Sequence, residues 1–135
     1  MLSIDQKFEH AKVARSRSYS PYSNFKVGAV AIMDNDEVVY GCNVENASYG
    51  LCNCAERNAI FSVICLGLSP KNIKEMVVLA GSERPVSPCG ACRQVMAEFL
   101  SPSTKITLFN LNKDMIEITV EELLPYSFEQ GDLNA

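Results

Sequence analysis

The chain has 135 residues, the length of one domain that can bury a hydrophobic core without the support of disulfides. Charged residues make up 21% and hydrophobic residues 47%, a balance that excludes a disordered chain. The net charge is −4 and no segment concentrates Lys or Arg, which argues against nucleic-acid binding and favours small, neutral substrates.

The N-terminal residues lack the basic and apolar regions of a secretory signal. The longest apolar stretch, residues 59–68, reaches about half the length of a membrane span. We therefore expect a cytoplasmic protein that does not associate with membranes. In a reducing compartment its six cysteines would serve metal binding or catalysis rather than disulfides.

Hydrophobic periodicity and turn residues predict nine elements in the order helix, strand, strand, helix, strand, helix, strand, strand, helix. Ser3 is a candidate N-cap of the first helix and Gly67 a candidate C-cap of the second. This order suggests one domain over residues 1–135, an α/β fold built as a three-layer α/β/α sandwich around a mixed five-stranded sheet. The predicted ranges are 4–18, 25–33, 37–42, 53–66, 75–80, 90–100, 105–109, 115–119 and 120–124.

Three cysteines lie at two predicted helix starts. Cys54 opens the second helix, and Cys89 and Cys92 form a C-x₂-C motif at the start of the third. This spacing suits one tetrahedral Zn²⁺, and three protein ligands leave a fourth position open, as in catalytic zinc sites. Helix N-termini also favour the thiolate over the thiol. The sequence therefore predicts one Zn²⁺ per chain, held by these three cysteines.

Two charged residues follow Cys54 closely. Glu56 is the candidate for proton transfer, although Asn53 and Glu56 also fit the spacing of a helix capping box. In the same way, residues 87–88 could simply start the third helix, as an N-cap Ser followed by Pro. Arg57 is expected to donate hydrogen bonds to the thiolates and so offset the negative charge of a three-thiolate zinc centre.

These motifs resemble those of the cytidine deaminases, specifically the short, homotetrameric class with three cysteine zinc ligands. The resemblance runs through residues 22–29, 41–49, 53–57, 87–94 and 119–125, and so covers nearly the whole chain. It implies the cytidine deaminase fold, a zinc cofactor, and hydrolytic deamination of cytidine and 2′-deoxycytidine in pyrimidine salvage. It also implies a nucleoside substrate and a homotetramer.

The resemblance further implies the roles of individual residues. Glu56 would take a proton from the attacking water, pass it to ring N3, and later protonate the leaving amino group. Asn43 and Glu45 would bind the ribose, chiefly its 3′-hydroxyl, and Phe25 would pack on the pyrimidine. The backbone amide of Ala55 would contact the 2-oxo group.

Two further aromatic residues match positions that cross a subunit boundary in this family. Phe128 would reach the substrate pocket of a neighbouring subunit, and Tyr49 would lie at the same boundary. The active sites would then be completed only in the assembled tetramer.

Three alternatives keep the cysteine motifs but change the function. A deaminase that edits RNA or DNA would need a basic channel studded with aromatic residues, which this acidic chain lacks. An aminonucleoside-antibiotic deaminase shares the C-A-E motif but has no evident use for the ribose-binding pair. A structural zinc module could be closed by Cys52 as a fourth thiolate. Otherwise Cys42, Cys52 and Cys65 are interpreted as small, buried apolar residues.

Overall fold

The computed structural model describes residues 1–134, and its strands and main helices follow the predicted order. The five strands form one sheet in the order β2-β1-β3-β4-β5, in which β3 and β4 are parallel and the other neighbours antiparallel. The mixed five-stranded sheet is therefore confirmed. The elements are α1 (Ile4–Ser16), β1 (Val27–Met33), β2 (Val38–Cys42), α2 (Ala55–Cys65), β3 (Ile73–Ala80), α3 (Gly90–Phe99), β4 (Lys105–Phe109), β5 (Met115–Thr119) and α4 (Val120–Leu123).

Helices cover both faces of the sheet. Successive strand residues point to opposite faces, so β1 turns Val30 toward α1 and Ala31 toward α2 and α3. α1 buries Phe8, Ala11 and Ala14 against one face, while α2 and α3 bury the larger cluster against the other. This arrangement is the predicted α/β/α sandwich.

The predicted caps of two helices are confirmed. Ser3 and Gln6 form a capping box at the start of α1. Gly67 follows Leu66, the C-cap of α2, and has a φ of +82°, in the left-handed region that glycine adopts at low cost. The N–H of Gly67 donates a hydrogen bond to the carbonyl of Ile64. The N–H of Leu68 donates to the carbonyl of Val63, as in a Schellman motif.

Of the two helices at the cysteine motifs, α2 begins at Ala55, two residues later than predicted, whereas α3 begins at Gly90 as predicted. The N-caps of α2 and α3 are Cys54 and Cys89, and neither makes a side-chain capping hydrogen bond. The capping interpretations of Asn53 and of residues 87–88 are therefore wrong. For Asn53 the reason is that its carbonyl accepts the N–H of Val44, whereas the carbonyl of Cys54 accepts the N–H of Asn58 and so begins the helix.

The direction of the strands brings the starts of α2 and α3 together. Both β2 and β3 run antiparallel to β1, so they end at the same edge of the sheet, and α2 and α3 begin there. None of the helices among residues 1–134 is long and apolar enough to cross a membrane.

Candidate metal centre and active site

The three predicted ligands converge at the helix starts. The sulfurs of Cys54, Cys89 and Cys92 all lie within 4.8 Å of one another, and those of Cys54 and Cys89 are 3.8 Å apart. Cys92 is buried whereas Cys89 is exposed, so the cluster opens to solvent on one side. Both helix N-termini direct the positive end of their dipoles toward the sulfurs.

The donor set fits a zinc ion. Tetrahedral zinc with Zn–S bonds of about 2.3 Å places its sulfurs about 3.8 Å apart, close to the separation seen here. A hydrogen bond from the Cys92 thiol, helped by Arg57, lowers the pKa of Cys54 to about 5. The same hydrogen bond, together with burial, raises the pKa of Cys92. Three thiolates at this separation repel one another, so they need a cation to ionise together.

Glu56 and Arg57 flank this cluster on the first turn of α2. Glu56 is only 6% exposed, and burial raises the pKa of its carboxyl, with a further contribution from the charge of Cys54. Nη2 of Arg57 lies 3.3 Å from the sulfur of Cys54. Because no capping hydrogen bond uses Glu56, its carboxyl group remains available for proton transfer beside the metal ligands.

Asn43, the first member of the predicted ribose-binding pair, lies next to β2 with a largely engaged amide. Its Oδ1 accepts hydrogen bonds from the hydroxyl of Ser18 at 2.5 Å and from the N–H of Val27 at 2.9 Å, and its Nδ2 donates to the carbonyl of Phe25 at 2.7 Å. One N–H of the amide remains for another acceptor. Asn43 therefore positions the segment around Phe25 and can act toward a ligand only as a donor through that N–H.

Glu45, the second member of the pair, is tied to the turn before β1. Its carboxylate accepts the backbone N–H groups of Tyr22 and Ser23 at 3.0 and 3.1 Å, and also the hydroxyl of Ser23. These hydrogen bonds, that of the Ser23 hydroxyl first, lower the pKa of Glu45. Glu45 is thus a fixed carboxylate that offers its remaining lone pairs as acceptors.

The other predicted substrate residues are placed as follows. Phe25 precedes β1 and is 42% exposed, so it is not a core residue. Ala55 is the first residue of α2, where backbone N–H groups have no intrahelical acceptor. Tyr49 and Phe128 are both exposed, and Tyr49 contacts the ring of Tyr22 edge to face.

Cys52 does not belong to the sulfur cluster. Its sulfur accepts the N–H of Asn46 and donates back to the carbonyl of the same residue, closing the loop that exposes Tyr49. Cys42 is half-buried and its sulfur donates to the carbonyl of Arg17, while Cys65 is exposed. The prediction that these three cysteines are buried apolar residues is therefore wrong, because two make polar contacts and the third lies on the surface.

Sequence reasoning assigned no role to several residues that organise the site. Ser18 and Ser23 orient the amide of Asn43 and the carboxylate of Glu45, yet serines in a turn-rich segment are common. Arg93 hydrogen-bonds the backbone just before Cys89. Only the three-dimensional contacts distinguish these residues from ordinary surface residues.

The fold matches solved structures of deaminases. The crystal structure of cytidine deaminase from Burkholderia pseudomallei superposes with a TM-score of 0.91 at 46% identity, over 94% of this chain and 100% of that one. The cytidine deaminase structure from Mycobacterium tuberculosis gives a TM-score of 0.78 at 32% identity, over 95% and 98%. The fold is thus a deaminase fold.

Sequence comparison defines the family. The family described as "Cytidine and deoxycytidylate deaminase zinc-binding region" matches residues 2–107, which include all three cysteines of the cluster. The chain therefore belongs to the cytidine deaminase family. A cytidine deaminase of Halalkalibacterium halodurans is 51% identical over 90% of both chains, and one of Sporosarcina psychrophila is 43% identical over 98% and 96%. The cluster and the family's zinc-binding region fit one zinc ion per chain.

Proposed function

We propose that this chain catalyses the hydrolytic deamination of cytidine and 2′-deoxycytidine to uridine and 2′-deoxyuridine, with release of ammonia. The proposal is carried by one observation: a buried carboxylate, Glu56, lies on the turn that begins at Cys54 of the three-thiolate cluster. The identity of 51% to a cytidine deaminase supports the choice of substrate. The reaction would serve pyrimidine salvage. The proposed compartment is the cytoplasm, because its reducing conditions keep six cysteines as free thiols.

Glu56 moves the protons of this reaction. Cys54, Cys89 and Cys92 would hold a zinc ion, which would act as a Lewis acid and lower the pKa of water. Glu56 accepts a proton from the attacking water and delivers it to N3 of the pyrimidine, which makes C4 electrophilic. After the water oxygen has bonded to C4, Glu56 carries the remaining proton of the new hydroxyl to the amino group; the C4–N bond then breaks, C4 becomes a carbonyl, and ammonia leaves. One carboxylate therefore acts first as base and then as acid.

The remaining residues hold the nucleoside. Phe25 packs on the pyrimidine, and the amide N–H of Ala55 donates to its 2-oxo group. At the ribose, the free N–H of Asn43 donates to a hydroxyl oxygen while Glu45 accepts the hydroxyl proton. Each member of the pair has one role because its other polar atoms already hold the turn before β1.

The test is the ultraviolet absorbance change when zinc-loaded protein meets cytidine, with 2′-deoxycytidine measured in parallel. We expect the absorbance to fall as uridine forms. Protein that carries Cys54→Ser is the control, because it lacks one ligand and should show no change. An unchanged spectrum with one zinc bound per chain would contradict the proposal.

The rival functions predict different results. In a structural zinc module closed by Cys52, Cys52→Ser would lose zinc as completely as Cys54→Ser. We expect Cys52→Ser to keep its metal, because its sulfur bonds the backbone of Asn46 instead. In a nucleic-acid-editing deaminase, single-stranded oligonucleotide would inhibit cytidine turnover, and we expect no inhibition. An aminonucleoside antibiotic should be a poorer substrate than cytidine.

We also infer that the chain assembles as a homotetramer in which Tyr49 and Phe128 complete the sites of neighbouring subunits. Support comes from apolar side chains that are largely exposed in the single chain, at Tyr49, Leu51 and Phe128. Measurement of the mass in solution tests the assembly, and a monomer of 14.9 kDa would contradict it.

A further inference from the structure

Arg93 joins two segments of the chain near the metal centre through three hydrogen bonds. It lies on the first turn of α3, one residue after Cys92. Its guanidinium donates from Nε to the carbonyl of Pro88, from Nη2 to the hydroxyl of Ser87, and from Nη1 to the carbonyl of Leu123, each at 2.8 Å. One side chain thus connects the loop before Cys89 to the end of α4.

These acceptors depend on Arg93 for their hydrogen bonds. Pro88 is buried and immediately precedes Cys89, so the direction of its carbonyl sets the path of the backbone into that ligand. Leu123 lies in the last turn of the four-residue helix α4, where carbonyls lack helical partners. A planar guanidinium can serve three acceptors in fixed directions, which an ammonium group cannot do.

The next residue makes a separate contact with the same part of the chain. Nε2 of Gln94 donates to the carbonyl of Phe128 at 2.9 Å. Gln94 therefore holds only the C-terminal segment, whereas Arg93 holds both that segment and the loop before Cys89. The two neighbours form a matched pair in which only Arg93 contacts the backbone leading to a metal ligand.

We propose that Arg93 is a positioning residue for the metal centre. By fastening Ser87 and Pro88 to the end of α4, it holds the thiolate of Cys89 at the distance that zinc requires. Retention of the metal then depends on a contact with the C-terminal part of the chain, far from the ligands in sequence. This inference rests on the proposed function in that the metal is taken to be zinc.

The test measures the rate at which zinc passes from zinc-loaded protein to a chromophoric chelator, without substrate. We expect Arg93→Gln to release zinc about 10-fold faster or more than the wild-type protein, in the range seen when groups that orient metal ligands are removed. Arg93→Lys should fall between them, because an ammonium keeps the charge but serves fewer of the acceptors. Gln94→Ala is the control and should match the wild-type rate.

Wild-type release from Arg93→Gln would overturn the proposal, as would an equal acceleration by Gln94→Ala. If Arg93→Gln does not fold, the zinc release rates of Arg93→Lys and Ser87→Ala test the proposal instead. Each of these variants removes only part of the hydrogen bonding between Arg93 and its three acceptors. Release at the wild-type rate in both would likewise overturn it. Cytidine turnover by the wild-type protein is measured separately, so an inactive wild type contradicts the proposed function while the zinc comparison still stands.

Discussion

At the scale of single residues, the burial of the Glu56 carboxyl group is not expected from the residues next to it in the sequence. It lies on the first turn of α2, buried to 6% exposure, beside Cys54 and within reach of Cys92. A buried carboxylate costs free energy unless it is paired or protonated. Because Glu56 makes no capping hydrogen bond, the proposed proton transfer, rather than stabilisation of the helix start, accounts for a carboxyl group buried at this position.

Replacing Glu56 by Gln removes the proton carrier while keeping the size of the side chain. We expect Glu56→Gln to bind zinc as the wild-type protein does and to lose about 10²–10⁴-fold in kcat, the usual contribution of general acid–base catalysis. Zinc content and cytidine turnover are measured on the same preparation. Full turnover in this variant would assign the carboxylate to some role other than proton transfer.

Glu45 leads to a prediction about stability and pH. Hydrogen bonds from Ser23 and Tyr22 lower its pKa from the ordinary value of 4.5, so its stabilising contribution is present above that value. The contribution is lost as the pH falls through the lowered pKa of the folded state. We expect the difference in unfolding free energy between the wild-type protein and Glu45→Gln to be constant near neutrality and to shrink below pH 4.5.

This difference is measured by chemical denaturation of metal-free protein, so that zinc makes no contribution. Ser23→Ala is the comparison variant: it removes the largest cause of the lowered pKa, so the loss of stability should be smaller and should be complete at a higher pH. A difference that stays the same between neutral and strongly acidic pH would refute this account of Glu45.

At the scale of elements, the approach of α2 to β2 sets where Cys54 lies. A Cβ placed on Gly41 would be 2.4 Å from both the carbonyl oxygen of Ala55 and the amide nitrogen of Ala59. Only glycine at this position of β2 allows the first turns of α2 to lie so close to the strand. Gly41 therefore helps to place the metal ligand although it contacts neither metal nor substrate.

Substituting Gly41 by Ala should push α2 away from β2. We expect Gly41→Ala to lower the free energy of unfolding by about 1–3 kcal/mol, the usual cost of overpacking, and to weaken zinc binding. Gly50→Ala is the control, since a Cβ there meets nothing within 4 Å. Thermal unfolding and zinc titration measure the two effects, and equal behaviour of both variants would contradict the packing argument.

At the scale of the whole molecule, the proposed tetramer places residues of one subunit in the site of another. Phe128 is 57% exposed and Tyr49 is 74% exposed in the single chain, so neither has the contacts expected of a residue that acts within its own site. The hydrogen bond from Gln94 to the carbonyl of Phe128 holds the backbone of the C-terminal segment while its ring remains free.

Mixing two inactive or impaired variants tests this arrangement. Glu56→Gln lacks the proton carrier and Phe128→Ala lacks the aromatic ring, so each homotetramer should turn over cytidine slowly. After unfolding and refolding together, some sites would combine an intact Glu56 with an intact Phe128 from a neighbour. We expect activity above the sum of the separate proteins, whereas simple addition would place Phe128 in its own subunit's site.

Much of the fold could be predicted because its signals are local. The nearly continuous apolar runs of β1 and β3 and the bounds of β4 and β5 follow from side chains a few positions apart. The exact start of α2 could not, because it depends on the backbone pairing of Asn53 with Val44. Such contacts join residues that no local pattern relates.

The sequence by itself determined the sheet class and the three cysteines that fit a zinc ion, because spacing and residue type suffice for these. Only the tertiary structure showed that the side chains of Asn43 and Glu45 form most of their hydrogen bonds with the segment that leads into β1. It also decided that Arg93 holds the loop before Cys89. Hydrogen bonds between distant segments depend on how the chain packs, and a linear pattern of residues does not contain that information.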